Sequence, residues 1–132
     1  MALTTVRISP DHPNFKMTDY LLVDKREKKV LSVLNSVPAE YEIPEGIEKI
    51  CTLGFQGCSG LTELIVPEGV TSIGGSAFNG CSNLSIVTLP SSMQEISKDA
   101  FEYCHELLIK APAGSWAQQY SEEHGYKFEA LN

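Results

Sequence analysis

The chain has 132 residues, 17 acidic against 10 basic, and a formal charge of −7. This length suits one domain. No apolar run approaches the ~18 residues of a membrane span, and nucleic-acid backbones need clustered Lys and Arg that so acidic a chain does not supply.

The acid surplus is uneven. Residues 1–42 are balanced at six acids and six bases, residues 43–111 carry eight against three, and residues 112–132 three against one. Met1-Ala2-Leu3-Thr4-Thr5 has neither a basic start nor an apolar stretch, so no signal peptide is expected in this segment. That leaves an intracellular protein or a piece of an exported one. In chain order, Val6-Arg7-Ile8 reads as a first strand and Asp11-His12-Pro13-Asn14 as a turn. Leu21-Leu22-Val23 and Val30-Leu31-Ser32-Val33-Leu34 read as the two strands of a hairpin. Between them, Asp24-Lys25-Arg26-Glu27-Lys28-Lys29 is the only basic run, and a solvated hairpin tip accounts for it.

From Tyr41 onward the chain repeats. Cys58-Ser59-Gly60-Leu61, Cys81-Ser82-Asn83-Leu84 and Cys104-His105-Glu106-Leu107 recur at a 23-residue step. Ile43-Pro44, Val66-Pro67 and Leu89-Pro90 recur with them. So do Ile50, Ile73 and Ile96, and Phe55, Phe78 and Phe101, each Phe preceded by a small residue. A fixed period of this length is the mark of a solenoid, in which each coil stacks on the next. Leu61-x-x-Leu64-x-Val66 and Leu84-x-x-Val87-x-Leu89 read as short strands closed by proline, which has no N–H for a ladder. Glu68–Gly74 reads as a turn and a brief extended piece. Ser76–Cys81 suits a single turn of 3₁₀ or α-helix that drops Phe78 into the core. Stacked coils pair their strands in parallel and set Phe55, Phe78 and Phe101 in one internal column. Leu61, Leu84 and Leu107 form a second, and Ile50, Ile73 and Ile96 a third. Lys110 breaks the register of the last strand.

At the carboxyl end, Ser115–Gly125 reads as a short helix with Ser115 as N-cap and Gly125 just past the end. Trp116 and Tyr120 share a face there, set over the last coil. Tyr126-Lys127-Phe128 returns as a final strand.

The segments Ile43-Pro44-Glu45-Gly46-Ile47, Phe55-Gln56-Gly57-Cys58-Ser59-Gly60-Leu61 and Ala77-Phe78-Asn79-Gly80-Cys81-Ser82-Asn83-Leu84 resemble the leucine-rich repeats of the BspA (Treponema pallidum) type. The resemblance is strongest over residues 43–109. It implies a mainly β leucine-rich-repeat solenoid with short 3₁₀/α turns and a parallel strand ladder. Residues 1–42 would be an N-terminal long repeat holding the hairpin, 43–111 three repeats of 23 residues, and 112–132 a C-terminal cap with a short helix. All three belong to one solenoid domain. The resemblance also implies a microbial surface or secreted setting and adhesion to host matrix proteins or other cells.

Catalytic and metal chemistry find little support. Zinc sites use close pairs such as C-x₂-C, which the chain lacks. Cys58, Cys81 and Cys104 instead read as a buried column of reduced thiols. Cys51, whose counterparts are Gly74 and Ser97, is the cysteine most open to solvent. Cys104 and His105 should point to opposite sides, which argues against a catalytic pair. No phosphate loop or nucleophile elbow is present. The expectation is therefore a non-enzyme without cofactor or metal.

What remains is the outward side of the strands: Glu40, Glu42, Thr62, Glu63, Ile65, Ser85, Ile86 and Thr88, with Arg7 from the first strand. Ile65 and Ile86 occupy different repeat positions on adjacent coils, so they form a diagonal apolar patch. The expected partner is a protein or peptide, not nucleic acid or a membrane interior, and the chain itself a monomer or weakly self-associating. The competing reading is a structural spacer or scaffold segment of a longer surface protein.

Overall fold

The computed structural model describes residues 14–17, 20–33, 37–102, 104 and 107–131. The expected strand at Val6–Ile8, most of the turn at Asp11–Asn14, and the side chains of Tyr103 and His105 lie outside the described residues.

Two strand ladders run along the molecule. One has five strands, all parallel: β4 (Glu40–Glu42), β6 (Glu63–Ile65), β8 (Ile86–Thr88), β10 (Leu108–Pro112) and β11 (Lys127–Leu131). β6 and β8 are the strands read from the two L-x-x-L-x-L phrases, and β11 is supplied by the cap. The second ladder has six strands. Its parallel part is β3 (Lys29–Val33), β5 (Lys49–Ile50), β7 (Ser72–Ile73) and β9 (Glu95–Ile96). Two antiparallel strands, β1 (Phe15–Met17) and β2 (Leu21–Asp24), complete it. The hairpin expected around residues 24–29 is β2–β3, and β3 then pairs in parallel with β5, which joins the N-terminal unit to the repeats.

The turns between the ladders make a third column of hydrogen bonds. Along residues 53–58 the backbone N–H groups alternate in destination. Leu53, Phe55 and Gly57 donate to Gly75, Ala77 and Asn79 of the next coil, at 3.1, 2.8 and 2.9 Å. Gly54, Gln56 and Cys58 donate three residues back in their own turn. The turn has the i→i+3 bonds of a 3₁₀ piece, yet every second N–H leaves for the neighbouring coil. It therefore acts as part of the stack and not as a free-standing helix.

The core lies between the ladders. From the five-stranded sheet, Leu64, Val87 and Ile109 are each fully buried in one row. From the other, Val30, Ile50, Ile73 and Ile96 point inward. Phe55, Phe78 and Phe101 stack at the third side, with ring centroids 5.2 Å apart at both steps. Tyr41 caps this stack at one end, 6.4 Å from Phe55, and Tyr126 at the other, 6.2 Å from Phe101. Each fully buried side chain of this size contributes roughly 1.5–3 kcal/mol, so stability accumulates coil by coil.

The thiols stand in a column as the repeat implies. Cys58, Cys81 and Cys104 are buried and free, and the Cys81 and Cys104 thiols donate to the carbonyls of Phe55 and Phe78 at 3.1 and 3.6 Å. Gly74, the counterpart of Cys51, has no room for a side chain: a Cβ there would lie 2.6 Å from the Thr52 nitrogen.

The cap forms the expected helix, but of the expected Trp116–Tyr120 face only Tyr120 is buried, with Ala117 and Ser121, while Trp116 is exposed. Helix α1 spans Trp116–Glu123, and Ser115 accepts a hydrogen bond from the Gln118 N–H at 3.2 Å. Trp116 and Tyr120 stack at 5.5 Å, and Tyr120, buried, donates its hydroxyl to the Ser97 carbonyl at 3.1 Å. Strand β11 then lies parallel to β10 and covers it.

Candidate functional site

The candidate face is the outer side of the five-stranded ladder. Parallel pairing stacks its side chains in rows, with neighbours about 4.8 Å apart. One row reads Glu40, Glu63, Ile86, Leu108, Lys127. The next reads Glu42, Ile65, Thr88, Lys110, Glu129. Ile65 is 38% exposed, and Ile86 is half-buried on the adjacent strand one row away. The two are diagonal neighbours, as their unequal repeat positions require.

Leu108, missed by the sequence reading, extends the apolar patch. Ile109 pairs with Val87, so the last coil is one residue shorter than the others. Ile109 and Ala111 are fully buried, while Leu108 and Lys110 face outward. The register is displaced, not broken, at Lys110. A lysine in an apolar slot flanked by alternating Leu107, Ile109 and Ala111 was the signal that could have found it.

Two of the expected face residues serve the stack. Thr62 donates its hydroxyl to the Ala39 carbonyl at 3.0 Å, and Ser85 donates to the Thr62 carbonyl at 3.2 Å. Both precede their strands, and their hydroxyls are engaged across 23 residues. Glu40, Glu42 and Glu63 have no cation within ion-pair distance among the described residues, whereas Lys110 pairs with Glu129 at 3.7 Å. Arg7 lies outside the described residues.

The opposite ladder carries a shallow groove of about 600 Å³ between Lys29, Lys49, Ser72 and Glu95, with Cys51 and Gly74 beneath. Burial raises the Cys51 thiol above its ordinary range, and the ammonium of Lys29 pulls it the other way. A thiol held protonated is a weak nucleophile. The basic run is a hairpin tip: Asp24 accepts from the Arg26 and Glu27 N–H groups, Lys29 pairs with Glu27 at 3.3 Å, and Lys28 with Glu48 at 3.7 Å. Two of its four cations, Lys28 and Lys29, are thus paired with carboxylates. His124 sits at the end of α1, stacked 4.1 Å from Tyr120. Among the described residues no group of three His, Cys, Asp or Glu could hold a metal ion, and no helix is long and apolar enough to cross a membrane.

No curated protein matches the sequence. Among solved structures, the chain is similar to a leucine rich cell surface protein of Faecalibacterium prausnitzii, at 20% identity and a TM-score of 0.43. That likeness covers 92% of this chain and 44% of that one. It is also similar to the pneumococcal vaccine antigen PcpA, at 13% identity and a TM-score of 0.44, over 90% of this chain and 48% of that one. The chain thus spans less than half the length of either. The family model of the BspA type leucine-rich repeat region matches residues 35–111 in six copies. With that match over more than half of its length, and with the 23-residue coils built as two parallel ladders, the chain belongs to the BspA-type leucine-rich repeat family.

Proposed function

We propose that this repeat module is a non-enzymatic protein-binding unit that holds a protein or peptide on the outer face of its five-stranded ladder. The observation that carries the reading is the apolar patch of Ile65, Ile86 and Leu108, set on three successive strands with polar side chains around it. Adjacent surface apolar groups on a repeat array offer a partner area to bury, and the sheet faces of such arrays are where partners dock. Family membership supports adhesion as the biological use. The alternative, a spacer within a longer surface protein, needs no such patch.

Pull-down from extracts of cell surface and extracellular matrix tests the reading. The purified chain should capture a specific protein that Ile65→Asp/Ile86→Asp fails to capture, with thermal stability retained. Capture unchanged in the folded double variant would overturn this face. A folded chain that captures nothing would favour the spacer.

A further inference from the structure

The charges on the face are ordered, not scattered. Along the first row, two carboxylates (Glu40, Glu63) are followed by two apolar side chains (Ile86, Leu108) and one ammonium (Lys127). Glu42 adds a third carboxylate at the same end, whereas at the Lys127 end the second row carries Lys110 and Glu129, paired with each other at 3.7 Å. None of the three carboxylates has an internal cation among the described residues. The row therefore presents a polarity over four strand spacings, roughly 19 Å.

We infer that the occupant of this face is an amphipathic helical segment lying across the strands, with basic residues at one end, aliphatic residues in the middle and an acidic residue at the other. This rests on the binding reading above and names the class of partner. Charge, apolar area and spacing on the face all support it. The charges complement: a Lys or Arg pair meets Glu40, Glu42 and Glu63, while an acid meets Lys127. The apolar centre matches, because Ile86 and Leu108 lie between the charged ends and Ile65 sits one row away.

Spacing decides between helix and strand. Side chains along the row recur about every 4.8 Å. The face of a helix recurs about every 5.4 Å, close enough to stay in step over the row. One face of an extended strand recurs about every 6.6 Å and falls out of step within three positions. A helix of roughly 15 residues reaches all five positions at 1.5 Å per residue.

Such a complement would raise the association rate and fix orientation more than it would add affinity, and salt would weaken it. A competing strand-like partner would pair with a sheet edge through its backbone, independently of Glu40 and Glu63.

Fluorescence anisotropy with two labelled helical peptides tests this. The first carries Lys, Lys, Leu, Leu, Glu along one face. The second carries Glu, Glu, Leu, Leu, Lys on the same scaffold, and no reversal of direction turns one into the other. The first should bind at least about tenfold more tightly. Glu40→Gln/Glu63→Gln should weaken it about fivefold, as two partly exposed charge contacts would. Glu95→Gln/Glu102→Gln removes the same net charge elsewhere and should leave the affinity unchanged.

Equal affinity for the two peptides, equal loss in the two protein variants, or no binding of the first peptide would overturn the inference. If the pull-down partner is still lost in Ile65→Asp/Ile86→Asp, the face remains a binding site and only this class of occupant falls. If neither peptide nor partner depends on the patch, the face itself falls.

Discussion

Ile109 pairs with Val87, one residue short of the 23-residue step that joins Val87 to Leu64. This single shortening places the outer face of the last coil. It buries Ile109 and Ala111, turns Leu108 toward solvent beside Ile86, and gives Lys110 a solvent-side position against Glu129.

The shift makes a prediction about two adjacent residues. Ile109→Ala should cost about 2–5 kcal/mol, the usual range for truncating a fully buried aliphatic side chain. Leu108→Ala should cost clearly less, about 1 kcal/mol or below, since its side chain is only half-buried. Urea unfolding of the two variants measures both. Similar losses, or a larger loss for Leu108→Ala, would mean that the unshifted register is the true one.

Thiol chemistry should sort the four cysteines. Cys51 is half-buried, while Cys58, Cys81 and Cys104 lie inside the stack. Burial pushes the Cys104 thiol up to about 11, and the hydrogen bond with the Cys58 thiol, followed by burial, raises that of Cys81. Titration of the native protein with a thiol reagent near pH 8 should label Cys51 alone at first, and slowly, because its thiol is also raised. All four should react once the chain is unfolded. Early labelling of Cys81 in the native state would contradict the buried column.

Acid should weaken the links between coils. Hydrogen bonds from the Ser97 hydroxyl and the Ser76 N–H hold the Asp99 carboxyl below its usual range, and the Ser91 N–H and hydroxyl do the same for Glu68. A carboxylate depressed in the folded state stabilises fully above its unfolded pKa of about 4 and loses that contribution as pH falls through the lower folded value. The melting temperature should therefore drop below about pH 4. Asp99→Asn should be less stable than wild type near neutrality and show a flatter profile in acid. Parallel profiles for the two proteins would show that Asp99 does not link coils.

Much of this architecture was legible because repetition amplifies weak signals. One L-x-x-L-x-V phrase is ambiguous; three copies in step with Phe55, Phe78 and Phe101 define coil, ladder and core. Ser115 and Gly125 marked the helix ends through local capping chemistry that needs no tertiary context. Three features escaped. The brief extended piece in Glu68–Gly74 was read, but not the pairing of such pieces into a second ladder, because two-residue strands such as Lys49–Ile50 are too short to show a period of their own. Leu108 was hidden by the shortened coil. Thr62 and Ser85 read as free surface hydroxyls, but their bonds run to carbonyls one coil away, which only the stack brings within reach.

In the proposed binding mode the Ile65 side of the molecule meets the partner. Ile65 and Leu53 are similarly exposed, at 38% and 42%, on different sides of the coil. A photo-crosslinking amino acid placed at one position or the other, followed by irradiation with surface and matrix extract, compares the two sides directly. Defined protein adducts from position 65 and none from position 53 are the expected result. Adducts from position 53 with none from position 65 would place the interaction on the turns and rule out the five-stranded face.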